Sequence, residues 1–292
     1  MNIHQYQRLL DQAQQFVNDG KWLHAAQVYQ RVILEEPEQI ENYFKLSNMY
    51  AELRNVVAAE QVLLDALKQH PESADIIFAL GALYVREQDY DNALHYFEQL
   101  IPLRLPQVHY NIGIINFLKK NLTNAERHFR LTLEYDPEFS QTHLPLGEVL
   151  FKLGKTNEAI EQLQASLQDN HDPWHIYHML AIAYYSLGQW SESFEAFTKC
   201  IELQPDSVDV LRHISDVLIK LNKLDDAEIY LKRALQLSPD SSEVYTNFAL
   251  LALARSDTRT AKKHFNKAIT LDPANVRALE GLHLLEPIER VP

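Results

Sequence analysis

Residues 171–180, HDPWHIYHML, place His171, His175 and His178 beside Trp174. His175 and His178 are three apart, so on a helix they share a face. Two such imidazoles could begin a zinc site, but zinc needs at least three protein ligands. His171 would have to reach across a turn, and no HExxH run or cysteine partner accompanies the cluster. The expectation is that no metal and no cofactor binds here, and that His175 and His178 face outward from the first helix of a structural unit. A second candidate is LGKT, residues 153–156, which imitates the end of a phosphate-binding loop. That loop needs a glycine five residues before Gly154, where Val149 stands, and a preceding strand, where the pattern is helical. The lone cysteine, Cys200, falls in a column shared with Ala66, Ala234 and Ala268, which implies a small buried side chain rather than a nucleophile. No Ser-His-Asp or paired-carboxylate arrangement stands out, so no catalytic residue is expected.

Composition narrows the classes further. The chain has 292 residues with 27 Lys and Arg against 40 Asp and Glu, a net charge of −13. A surface that tracks nucleic-acid phosphates needs clustered positive charge, and no run of Lys and Arg occurs. A single cysteine excludes an intrachain disulfide. The first residues, MNIHQYQRLLDQAQQF, lack a signal-peptide profile, and no apolar run approaches the ~18 residues of a membrane span. A cytoplasmic location without membrane insertion is the expectation, and the NLT sequon at 121–123 carries no weight in that setting.

The elements that must position any site are repeats. Small residues recur at Ala13, Ser47, Gly81, Gly113, Gly147, Ala181, Ser215 and Ala249, in steps of 34 residues except one of 32. Twelve residues after each stands Ala, or Ser at Ser193; four further on stands a large apolar residue. That last column reads Tyr29, Leu63, Phe97, Phe129, Leu163, Phe197, Leu231 and Phe265. Each unit reads as two apolar-periodic helices, as in VDVLRHISDVLIKL followed by LDDAEIYLKRALQL. Gly20, Gly154, Gly188 and Asn222 share the turn column, where a left-handed residue ends a helix. Prolines, as in QPDS and SPDS, stop the second helix. A small residue lets two helices approach, and a large neighbour fills the space beside it.

These columns resemble the tetratricopeptide repeat, most clearly in NFALLALARSDTRTAKKHFNKAITLDP, residues 247–273. The resemblance covers residues 6–273. It implies an all-α, right-handed superhelical solenoid forming a single domain. The repeats are expected at 6–39, 40–73, 74–105, 106–139, 140–173, 174–207, 208–241 and 242–275, with a capping helix at about 276–286. The third repeat is the short one. Pro102 is expected to end its second helix early and to change the superhelical geometry there.

In this family first helices line a concave groove. Mapped onto this chain, the partner-binding positions are Phe78, Val85, Tyr110, Ile114, Phe117, Leu144, Phe151, His178, Ile182 and Tyr185. Glu41, Asn48, Glu52, Asp209, Arg212, Asp216 and Lys220 form charged flanks. Two specialised family subtypes do not match. Leu10, Phe44 and Phe78 hold the column where a carboxylate clamp would place lysine, and an asparagine ladder would need more than Asn111 and Asn247 in its column. The expected function is a non-catalytic scaffold or adaptor whose groove takes an apolar or amphipathic segment of another protein. The alternatives are a self-associating structural subunit, with a homo-oligomer, and a metal protein centred on the histidine cluster.

Overall fold

A computed structural model describes residues 3–168 and 172–285. Among the described residues there are seventeen α-helices and no strands. Eight hairpins follow one another. They are α1 (Ile3–Asn18) with α2 (Trp22–Glu35), α3 (Ile40–Glu52) with α4 (Val56–Gln69), α5 (Ala74–Arg86) with α6 (Tyr90–Gln99), and α7 (Pro106–Leu118) with α8 (Leu122–Tyr135). Next come α9 (His143–Lys152) with α10 (Thr156–Ser166), α11 (Pro173–Ser186) with α12 (Trp190–Leu203), α13 (Val208–Lys220) with α14 (Leu224–Leu237), and α15 (Ser242–Ala254) with α16 (Thr258–Leu271). The last helix is α17 (Val276–His283). The fold class is the all-helical repeat the columns imply. The contacts divide it into two compact units, Met1–Thr142 and His143–Pro292, each a stack of four hairpins. His171 and residue 286 lie outside the described residues.

One turn closes all eight hairpins. Gly20, Arg54, Gln88, Lys120, Gly154, Gly188, Asn222 and Ser256 all have positive φ, between 52° and 77° with the other left-handed residue, Arg104. Each left-handed amide bonds the carbonyl three residues back, and the next amide bonds the carbonyl five back, as in Gly20→Val17 at 3.0 Å and Lys21→Phe16 at 2.8 Å. This is the Schellman arrangement, which satisfies the orphan carbonyls of the first helix. The residue that completes it is also the N-cap of the second helix; Asn55, Asp89 and Asp257 add a side-chain bond there. One short segment therefore ends one helix and starts its partner.

The small and large columns meet as expected. A Cβ on Gly81 would stand 2.7 Å from Phe97 Cε1, one on Gly113 2.6 Å from Phe129 Cε1, and one on Gly147 2.9 Å from Leu163 Cγ. These distances are shorter than a Cβ tolerates, so the helices approach because the side chain is missing. Two column serines donate across their hairpins, Ser47 to the Ala59 carbonyl at 3.0 Å and Ser193 to the Ala181 carbonyl at 2.9 Å, whereas Ser215 donates to the Arg212 carbonyl of its own helix at 2.6 Å. Cys200 is fully buried, and burial pushes its thiol up to about 12. Gly154 is a hairpin turn and Lys155 the N-cap of α10, so LGKT has the repeat's turn geometry.

Two prolines shape departures from the repeat. Beside Pro102 the second helix of the third repeat is cut to ten residues, followed by a 3-10 turn over Ile101–Leu103. Pro145 has no N–H to bond the Gln141 carbonyl, so α9 starts at His143 after a 3-10 turn over Ser140–Thr142. At the end of the chain Asn275 caps α17, and Gly281 packs on the Phe265 ring.

Candidate functional site: the outward faces of the first helices

The first helices bury one side and leave another partly open. On α7, Val108, Ile112, Gly113 and Ile115 are buried, while Tyr110, Ile114 and Phe117 are half-buried at helical spacing of four and three. On α11, Ile176, Leu180, Ala181 and Ala183 are buried, while His178, Ile182 and Tyr185 are half-buried. Phe78 and Val85 on α5, and Leu144 and Phe151 on α9, stand seven apart and are also half-buried. All ten expected positions thus keep part of their surface open. Five belong to Met1–Thr142 and five to His143–Pro292.

Rings of the large column support three of these side chains from below. Phe78 lies 5.4 Å from Phe97 and Tyr110 lies 6.1 Å from Phe129, ring centre to ring centre. His178 meets Phe197 edge-on at 6.0 Å. Tyr110 also touches Phe139 at 5.4 Å, and Tyr185 meets Trp190 edge-on at 5.1 Å. A side chain braced by a buried ring loses little freedom when a partner covers it, which lowers the cost of binding. Burial raises the Tyr110 and Tyr185 phenols above their ordinary value, so both stay neutral donors near pH 7.

The histidines separate. His175 Nε2 pairs with Glu148 Oε1 at 2.9 Å, joining α11 to α9. His178 lies flat on Trp174 at 5.1 Å. Burial, then the neighbouring His175, lowers the His178 pKa. His213, on the first helix of the next repeat, stacks on Phe197 at 5.3 Å and stands 3.0 Å from Arg212 Nη2 through Nε2. Burial, with Arg212 beside it, drops its pKa to about 3, so it is a neutral acceptor. Among the described residues no group of three or more His, Cys, Asp or Glu side chains is arranged to hold a metal.

The charged flanks are largely engaged within the protein. Asp216 is buried and held by Arg277 of α17 at 2.8 Å. Arg277 also reaches Asn247 Oδ1 at 3.3 Å, and Asn247 Nδ2 donates to the Arg212 carbonyl at 2.9 Å and to Ser215 Oγ at 3.1 Å. Asn247 is fully buried, so its amide serves the fold rather than a partner's backbone. Asn111 turns its amide to its own helix, donating to the Gln107 carbonyl at 2.7 Å. Glu52 pairs with Arg86 at 3.2 Å and Glu41 with Lys45 at 3.5 Å.

Sequence reasoning missed one histidine pair. His109 Nδ1 and His128 Nδ1 are 3.0 Å apart across the α7–α8 hairpin, with rings 5.2 Å apart and Tyr135 against His109. The signal was available, because an offset of 19 residues also joins His143 to Gln162. Burial and the adjacent charges of His109 and Arg127 lower the His128 pKa to about 4.

Comparison with known proteins agrees with this architecture. Tetratricopeptide repeat models match residues 10–74 and 78–138, 184–252, and 242–275. A curated relative, protein O-mannosyl-transferase TMTC1 of Homo sapiens, is 22% identical over 160 residues; the match covers 52% of this chain and only 18% of that protein. Among solved structures, YrrB, described as a TPR protein with an unusual peptide-binding site, aligns with a TM-score of 0.54 and 17% identity, over 63% of this chain and 96% of that one. The APC/C hetero-tetramer Cut9–Hcn1 aligns with a TM-score of 0.50 and 18% identity, over 96% of this chain and 55% of that one. No described helix is long and apolar enough to cross a membrane.

Proposed function

The chain belongs to the tetratricopeptide repeat family, whose members generally mediate protein–protein interaction, and on that premise we propose that it is a non-catalytic scaffold or adaptor. Its first helices bind an apolar or amphipathic segment of another protein through Phe78, Val85, Tyr110, Ile114 and Phe117 on one unit. On the other unit the contacts are Leu144, Phe151, His178, Ile182 and Tyr185. One observation carries this reading: ten side chains, nine of them aliphatic, phenyl or tyrosyl groups of a kind usually buried more fully, remain half-open on first helices, and Phe78, Tyr110 and His178 among them rest on buried rings. Braced aromatics of this kind are what interface hot spots are made of. The cytoplasm is the proposed setting. A partner whose recognition is apolar fits better than a metal or a substrate.

The test is a photo-crosslinker at position 117 of the full chain in cell extract, followed by identification of what it captures. Replacing Tyr110, Phe117 and Tyr185 together with Ser should weaken binding of the captured protein by at least about a hundredfold, since each hot-spot truncation costs about 1–2 kcal/mol or more. Undiminished binding by a variant that still melts cooperatively rejects the site. Light scattering separates the alternative: an adaptor keeps one mass as concentration rises, and a self-associating subunit does not.

A further inference from the structure

A second surface of the unit His143–Pro292 opens between second helices, over the side of α11 that carries Tyr177, Leu180 and Tyr184. Between α10 and α12, the second helices of repeats five and six, runs a cleft of about 550 Å3. Its floor is apolar: Leu167, Tyr177, Leu180, Tyr184, Phe194 and Ala196. Gln164 Nε2 donates to Tyr184 Oη at 2.9 Å, which fixes one wall. Along the other wall α12 carries Glu192, Glu195, Lys199 and Glu202 at steps of three, four and three, one stripe about 15 Å long. Lys199 is held by Glu202 at 2.7 Å. Glu192 and Glu195 are exposed and make no ion pair among the described residues.

The equivalent cleft of the other unit, between α2 and α4, is a useful contrast. It has about 780 Å3 and the same wall bond, Gln30 Nε2 to Tyr50 Oη at 2.6 Å. Its rim acid, Asp65, is paired with Lys68 at 2.7 Å, so the rim has no spare charge of either sign. The two clefts share this shape and wall bond, and of the two only the α10–α12 cleft carries uncompensated acid.

We propose that the α10–α12 cleft is a docking site for a basic amphipathic helix of a partner protein, distinct from the first-helix faces. Apolar side chains of the partner fill the floor, and Lys or Arg at a three-to-four-residue spacing runs along Glu192, Glu195 and Glu202. The complementarity excludes nucleic acid, whose phosphates these carboxylates repel. A second copy of this chain fits less well. Its own basic helix, α16, carries Arg259, Lys262, Lys263 and Lys267, but its exposed positions are polar or charged and bring nothing to fill the floor.

The probe is a fluorescein-labelled Leu/Lys amphipathic helical peptide of about four turns, titrated into the full chain, with the Leu/Glu peptide as counterpart. The Leu/Lys peptide should bind and weaken as salt rises, and the Leu/Glu peptide should not bind. Glu192→Lys with Glu195→Lys should weaken binding about tenfold or more. Glu134→Lys with Glu138→Lys, the same charge change at exposed positions of the other unit, should leave it within about twofold. If both pairs weaken binding alike, the attraction is to net charge and the site is wrong. If E192K/E195K instead abolishes a concentration-dependent dimer seen by light scattering, the occupant is a second copy and the proposal fails. The Tyr110, Phe117 and Tyr185 triple should bind the peptide normally. That keeps failure here separate from failure of the first-helix site.

Discussion

In Met1–Thr142 the phenyl rings Phe97 and Phe129 press on Gly81 and Gly113, whereas in His143–Pro292 the equivalent rings Phe197 and Phe265 share a hairpin register with Ala181 and Ala249. The same hairpin is therefore closed in two ways. Rings against glycine leave no volume for a Cβ; rings against alanine accommodate one. The comparison separates what the fold requires, a small residue facing a large one, from what each hairpin happens to tolerate. It also teaches that a phenylalanine in the large column does not by itself demand glycine opposite.

The largest expected effect breaks that distinction. Gly113→Val drives a branched side chain into Phe129, a ring that is fully buried and has nowhere to turn. The cost should reach about 3 kcal/mol, the upper range of overpacking. Ala181→Gly in the other unit should cost only about 1 kcal/mol, through lost helix propensity. Urea midpoints of the full chain compare the two. A Gly113→Val variant as stable as Ala181→Gly would show that the α7–α8 hairpin can make room for a side chain at position 113.

Much of this was readable before any coordinates. The small, alanine and large columns locate all eight hairpins, because each column is a contact and contacts repeat with the helices that make them. The late start of α9 was not anticipated; it follows from the missing N–H of Pro145. The histidines show where reading by neighbourhood fails. His175 and His178 are near in sequence but engage different partners, Glu148 and Trp174. His109 and His128, nineteen apart, touch because that offset spans the hairpin. Half-burial of the ten first-helix positions follows from helical phase. The pairing of buried Asp216 with Arg277 does not, since 61 residues separate them and no repeat column predicts it.

Acid should divide the units next. His128 and His213 are neutral in the folded protein, with pKa values lowered to about 4 and about 3, against an ordinary 6.5. Below pH 6.5 the unfolded chain takes up protons that the folded chain refuses, so stability is full above that value and falls as pH drops. Each histidine contributes at most about 1.4 kcal/mol per pH unit inside its window. The His128 contribution is spent by about pH 4, and that of His213 continues to about pH 3. His128→Gln should therefore flatten the melting curve against pH between 6.5 and 4, and His213→Gln should flatten it down to 3. Identical slopes in both variants and the parent would mean that neither imidazole is held neutral.

The hairpin turns supply the smallest and most directly comparable effect. In Met1–Thr142 three of the four left-handed hairpin residues, Arg54, Gln88 and Lys120, carry side chains that this backbone disfavours; in His143–Pro292 two of the four are glycine, one is Asn222 and one is Ser256. A left-handed residue other than glycine costs about 1 kcal/mol, with asparagine less affected. Glycine also widens the unfolded ensemble, which offsets part of any gain. Gln88→Gly should thus stabilise by about 0.5–1 kcal/mol, and Arg54→Gly and Lys120→Gly similarly, whereas Gly154→Ala should destabilise by about 1 kcal/mol. No atom outside the turn lies within 4 Å of a Cβ built on Gly154, so that loss would report backbone strain alone. The amide bonds that close each turn are the same in all eight hairpins, which makes the four substitutions a test of one variable. If Gln88→Gly lowers the urea midpoint, its side chain must contribute more than the left-handed backbone costs, and the two units would then differ in surface contacts rather than in turn strain.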